Sequence, residues 1–194
     1  MSRPNREDAW NLLCEFNETD VLRKHALAVE GTMRHFAQLR GEDEDLWGLV
    51  GLVHDLDFEK YPEEHCVHTE RILRERNWPE DIIRAVLSHA WGVCTDIEPL
   101  SEMEKVLFAV DELTGLVAAT ALVRPNKSIH DTQVKSVKKK WKNARFAAGV
   151  DRATIEKGAE LLGMELSDLI AQVIDGMRKV APDIGLDGIE PENL

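Results

Sequence analysis

Apolar residues in this chain recur at intervals of three and four, segment after segment, and that spacing narrows the fold more than any other feature. In "TDVLRKHALAVEGTMRHFAQLRG" the set Leu22, Val29, Met33 and Phe36 follows a helical period, Thr19 and Asp20 are capping candidates, and Gly41 ends the run. "EDEDLWGLVGLVHD" leads four by four from Leu46 through Val50 to His54. Pro62 is placed to open a third helix over 63–76, and Pro79 a fourth with Ile82, Val86 and His89 on one face. Ser101 and Glu104 form a capping box before the stripe Met103, Leu107, Thr114 and Ala118. Beyond the break at Pro125 a basic helix is expected from about 130 to 147, then helices near 151–163 and 167–181 starting at Asp151 and Ser167. No alternating, β-branched run is long enough to build a sheet. The expected class is all-α, a compact multi-helix bundle. One domain is expected over 1–194, its core at about 20–122 and a helical extension at about 123–194.

The bulk properties exclude several functions. No apolar run approaches the roughly 20 residues of a membrane span, and "MSRPNREDAW" has no signal-peptide core, so a cytoplasmic protein is expected. The net charge of −12 opposes a broad nucleic-acid surface. Residues 132–150 nevertheless carry no acid, while Lys135, Lys138, Lys139, Lys140, Lys142 and Arg145 all fall there. Cys14, Cys66 and Cys94 are odd in number and lack C-x-x-C spacing, which suggests neither a disulfide framework nor a zinc ribbon.

Metal-type side chains interrupt the apolar stripes. His25 follows Leu22 by three and precedes Val29 by four. His54 continues Leu46 and Val50, and His65 and His68 share a face with Ile72. His89 follows Ile82 and Val86, and Asp111 lies four after Leu107 and seven before Ala118. A single buried histidine is more often a hydrogen-bonded core residue than a ligand, and an isolated buried carboxylate is costly unless paired or metal-bound. Five segments each turning such a group inward is a different matter. Imidazole nitrogen with carboxylate oxygen is the donor set of Zn, Mn, Fe and similar ions. His54 and Asp55, about 100° apart on a helix, reach one centre only near a helix end, which "LDFEKYP" provides. His35 and His130 lack such a setting and are expected at the surface. Trp47, Trp78, Trp91 and Trp141 are expected in the core or a pocket wall.

In this order the residues resemble the HD-domain metal-dependent phosphohydrolases, with their helical His…His-Asp…Asp signature. His25 matches the first histidine, His54–Asp55 the doublet and Asp111 in "AVDELTG" the closing aspartate; the match spans roughly residues 20 to 122. His65 and His89 match the added histidines of two-metal members. The chain departs from the family where the common "HDIGK" reads "HDLDF", so Asp57 replaces the glycine and Phe58 the lysine, for which Lys60 is the substitute. Ala90 stands where two-metal members often have a further histidine. The resemblance implies one or two divalent ions (Mn, Fe, Mg, Zn or Co) held by His25, His54, Asp55, His65, His89 and Asp111. It further implies a water activated to cleave a phosphoester, with Asp55 at the reacting centre.

The general acid is sought among His68, Asp57 and Glu59, in the same loop region. Arg124, Lys127, Lys60 and Lys135 are candidates for holding substrate phosphate. The expected partner is a small phosphorylated molecule or nucleotide rather than a nucleic-acid polymer or membrane. The C-terminal helices complete the core or form a homodimer surface. Two rivals stand beside this reading: a di-iron oxygenase of the same superfamily, and a non-catalytic ligand-binding module.

Overall fold

The computed structural model describes residues 3–189. Among them are nine α-helices and no β-strand: α1 (Arg6–Phe16), α2 (Asp20–Arg40), α3 (Glu44–Val53), α4 (Val67–Glu75), α5 (Glu80–Ser88), α6 (Glu102–Leu122), α7 (Val134–Trp141), α8 (Arg152–Leu161) and α9 (Leu166–Arg178). A 3₁₀ turn, Pro62–Glu64, precedes α4. Within the described residues no helix is long and apolar enough to cross a membrane. The chain is all-α, as its apolar spacing predicts.

The long helices α2 and α6 form the frame. α2 packs against α3, α6 and α9, and α6 against α5, α7, α8 and α9. The helices beyond residue 122 therefore pack on the two that carry His25 and Asp111. Met33, Phe36, Leu107 and Leu113 are among the side chains buried between them. α1, which sequence spacing did not disclose, starts at a capping box of Asn5 with Asp8. It is tied down by Arg6, whose guanidinium donates to both oxygens of buried Glu30 at 2.6 and 2.8 Å. Arg34 donates to the same carboxylate at 3.0 Å, so the buried charge is paired twice.

Several boundaries differ from expectation, each for a local reason. The helix expected over 63–76 is broken at His65–Cys66, because Cys66 takes φ 69° and turns the chain before α4. The basic helix is confined to Val134–Trp141; its lysines have no acidic neighbour in 132–150 to offset their repulsion over a longer run. α9 is capped by Glu165 rather than Ser167. His35 is buried, not at the surface, since α9 covers that face of α2 and Gln172 accepts a hydrogen bond from its Nε2 at 2.9 Å. His130 is exposed as expected.

Close helix crossings need glycine at several points, Gly51 and Gly158 among them. A Cβ on Gly51 would lie 2.9 Å from Met33 Cγ and 3.2 Å from the Glu30 backbone, so α3 approaches α2 only because none is there. A Cβ on Gly158 would lie 2.5 Å from the Ala109 Cα, where α8 crosses α6. Gly158→Ala is therefore expected to destabilise the fold by about 1–3 kcal/mol through overpacking, despite alanine's better helix propensity. At Gly115, where a Cβ would meet only Val150 at 3.7 Å, the same change is expected to be neutral or stabilising by up to about 1 kcal/mol. Urea denaturation midpoints of the two variants check the contrast.

Candidate metal centre

Side chains from five elements converge at one end of this frame. His25 is on the second turn of α2 and Asp111 midway along α6. His54 is the residue that ends α3, so Asp55 leaves the helix and turns back towards it. His65 follows the 3₁₀ turn, and His89 caps α5.

The donors form two sets that share one carboxylate. His25 Nε2 lies 3.0 Å from Asp111 Oδ1 and 3.2 Å from His54 Nε2, which is 3.2 Å from the same oxygen. Asp55 Oδ2 lies 3.5 and 3.4 Å from those two ring nitrogens. Asp55 Oδ1 faces the other way, 3.4 Å from Nε2 of both His65 and His89. Those two nitrogens are 3.1 Å apart.

The far side of each ring is anchored. His54 Nδ1 donates to the Gly51 carbonyl at 2.8 Å, His89 Nδ1 to the Val86 carbonyl at 2.6 Å, and His65 Nδ1 to Asp57 Oδ1 at 2.8 Å. His25 Nδ1 faces the Thr114 hydroxyl at 3.5 Å, whose own hydrogen goes to the Asp111 carbonyl. Carbonyl and carboxylate oxygens only accept, so the Nδ1 atoms of His54, His65 and His89 carry the protons and their Nε2 lone pairs face inward. Lone pairs about 3.1–3.2 Å apart repel unless a proton or a cation lies between them. An ion bonded at about 2.0–2.1 Å puts neighbouring donors roughly 2.9–3.4 Å apart for octahedral or tetrahedral angles. The observed spacings of 3.0 to 3.5 Å lie within or just beyond that range, and the residues suit a divalent ion in each set, with buried Cys66 beside the second.

Charge in the ion-free protein is arranged to match. Burial opposes a charge on His25, but hydrogen bonds from it to Asp111 and Asp55 outweigh burial and raise it to about 9. His54 is raised for the same reason, by the charges of Asp55 and Asp111 against burial. Asp55 and Asp111 are held below the ordinary carboxylate range because the facing imidazoles overcome their burial. Asp57 is likewise kept ionised, against burial, by His65 and Thr69.

Not every predicted residue joins the centre. Asp57, fully buried, binds His65 through one oxygen and the Thr69 backbone N–H through the other at 2.8 Å, which makes it a positioning residue rather than an acid. Glu59 accepts from the backbone N–H groups of Glu18 and Thr19, and so caps the start of α2. His68 stacks on Tyr61 at 3.8 Å and pairs with Glu64 and Arg71, outside the cluster. Lys60 donates to the Glu15 carbonyl at 2.7 Å and lies over the Phe16 ring. Arg124 and Lys127 stand beyond the end of α6, with Arg124 thirteen residues and about 20 Å of helix rise past Asp111. Lys135 is exposed on α7.

A cavity of about 420 Å³ opens onto His25, Asp55, His65, His89 and Asp111. No Lys or Arg is among the described residues that line it. Trp91 does not line it either, packing instead under Lys157, 3.3 Å from its ring centre. Two residues near the centre, Glu112 on the cavity wall and buried Cys66, escaped sequence reasoning or were set aside by it. Glu112 accepts the Asp151 N–H, and burial followed by the Asp111 charge raises it to about 7. Cys66, whose sulfur lies within 4.8 Å of nitrogens of His65 and His89, is kept a thiol by burial and the nearby Asp57 charge. No C-x-x-C spacing could flag it, although its adjacency to His65 could.

Asp57→Asn is expected to weaken binding of the ion facing His65 and His89 by about 10–100-fold, because it loosens the ring that Asp57 orients. Cobalt titration followed by visible absorption checks this. The pH dependence has opposite signs with and without metal. A pKa raised to about 9 on His25 gives stability that is full below about 6.5, the unfolded value, and is lost as pH rises through 9. Loading an ion displaces that proton, so affinity climbs over the same interval. From pH 7 to 9 the ion-free protein should lose melting temperature while Mn affinity rises about tenfold per pH unit for each proton released, as read by scanning and titration calorimetry.

Comparison with models of known protein families, with curated proteins and with solved structures gives no match for this chain. The centre is read from its own geometry.

Proposed function

We propose that this protein is a metal-dependent phosphohydrolase of the HD type, cleaving a phosphoester of a small molecule. The observation that carries the reading is Asp55, one carboxylate whose two oxygens face two separate imidazole-rich donor sets. His25, His54, Asp55 and Asp111 would hold one divalent ion, and Asp55, His65 and His89 a second. Ions bound there supply the positive charge that polarises a phosphoryl oxygen and the field that lowers the pKa of water. Asp57, Gly51 and Val86 fix the ring orientations that this requires. Glu112 has its carboxyl on the cavity wall, engaged by one backbone N–H, and is assigned the proton given to the leaving oxygen. Phe58, Pro62 and Val93 form an apolar rim that limits water access.

One observation favours the di-iron oxygenase as a second reading: no Lys or Arg is among the described residues that line the cavity to meet a phosphate. The two separate in one experiment. Protein loaded with Mn under nitrogen should hydrolyse 4-nitrophenyl phosphate and methyl phosphate, and Asp55→Ala, which removes the donor common to both sets, should lose metal and turnover together. Glu112→Gln should slow methyl phosphate by about 10²–10⁴-fold and 4-nitrophenyl phosphate far less, since that leaving group needs no proton. Absence of hydrolysis with any ion, joined to oxygen uptake by the iron-loaded form, would replace this reading with the oxygenase.

A further inference from the structure

Beside the metal cavity lies a second one, of about 470 Å³. It runs between the first turns of α2, the last turns of α6 and the segment that follows α9. Ala28, Met177, Ile184 and Leu186 are its buried floor. Its rim carries Val21 and Leu122, which are 76% and 51% exposed, among the large apolar side chains left most open to solvent. The charged groups on that rim, Asp20 and Lys24, pair with each other at 2.6 Å. Leu22, His25 and Gly115 border both cavities. At Gly115 a Cβ would meet only Val150 within 4 Å, so between the cavities α6 presents bare backbone where a larger residue would raise a wall.

We propose that this groove receives the apolar part of the substrate, and that the substrate class is a phosphomonoester of an apolar alkyl or aryl alcohol. The inference rests on the centre holding the phosphoryl end. Two independent features lead to it. The groove is apolar and adjoins the metal cavity, with Leu22, His25 and Gly115 lining both. The described residues of the metal cavity include no Lys or Arg, so phosphate charge beyond what bound ions and the imidazoles neutralise finds no partner among them, which disfavours a di- or triphosphate. An ester with one phosphoryl group and an apolar remainder satisfies both cavities.

The test measures binding, which does not depend on turnover. Titration calorimetry of the Mn-loaded protein with methyl-, butyl- and octylphosphonate should show Kd falling by about three- to fourfold per methylene while the chain fills the groove, with an increasingly negative heat-capacity change. Ala118→Phe, which fills the groove, and Gly115→Leu, which closes the saddle, should flatten that dependence, with metal content and circular dichroism showing that centre and fold are intact. Equal affinity for methyl- and octylphosphonate, no binding of any of them, or an unchanged dependence in both variants would overturn the inference. Length-dependent binding without hydrolysis of octyl phosphate would keep the groove and remove the phosphohydrolase reading. Hydrolysis of 4-nitrophenyl phosphate with no length dependence would do the reverse.

Discussion

A carboxylate enclosed by four imidazoles sets the terms for everything around it. Asp55 is largely buried, and an isolated charge there would be expensive. Its neighbours offset that expense only when they are close and correctly turned, which requires His25, His54, His65 and His89 to arrive from separate segments with the same nitrogen pointing inward. The fold meets this demand largely at helix ends. His54 and His89 are the residues on which α3 and α5 finish, and His65 follows a 3₁₀ turn. A residue in mid-helix has its direction fixed by the helix, whereas one at an end takes its direction from the turn. His54 and Asp55 reach one centre for that reason, although on a continuing helix they would diverge.

Orientation then becomes a matter of what lies behind each ring. The carbonyls of Gly51 and Val86 are three residues before the histidines they hold, so α3 and α5 supply their own anchors. His65 has no helix behind it and depends on Asp57, which depends in turn on Thr69 of α4. The break at Cys66 makes this possible, since a helix continuous from 63 would carry His65 away from Asp57. On the other side, α8 and α9 pack on α6 and α2, which carry the two mid-helix candidate ligands, Asp111 and His25. Thus the C-terminal helices contribute no donor yet take part in the geometry.

The clustered residues were legible because a charged or metal-type group inside an apolar stripe contradicts its surroundings. His25, His54, His89 and Asp111 all showed that contradiction, and the structure brings them together with Asp55 and His65. The all-helical class was legible for the same reason, since spacing alone carries it. What lay outside that signal was misread. Asp57, Glu59 and His68 sit in the right stretch of sequence, but partner choice in a turn is decided by tertiary neighbours (Thr69, Thr19 and Tyr61) that no local pattern names. The basic residues failed differently. Charge composition located Arg124, Lys127 and Lys135 along the chain but could not say which end of α6 faces the cavity, and it is the other part of that helix that does.

The missing cations have a consequence for how such a site selects. The protein carries a net charge of −12 and its cavity wall adds Asp151, so apart from the imidazoles of the centre an anion meets no Lys or Arg among the described residues that line the cavity. On the proposed reading, affinity for phosphate comes chiefly through ions in the two donor sets. By linkage, an anion that binds the loaded protein tightens the ions by the same factor. On the same reading, a substrate bearing one phosphoryl group and an apolar remainder would incur the smallest repulsion for the largest contact, because the groove beside Gly115 would reward apolar area. On that reading a substrate with several phosphates finds no Lys or Arg among the described cavity residues to offset its further charge.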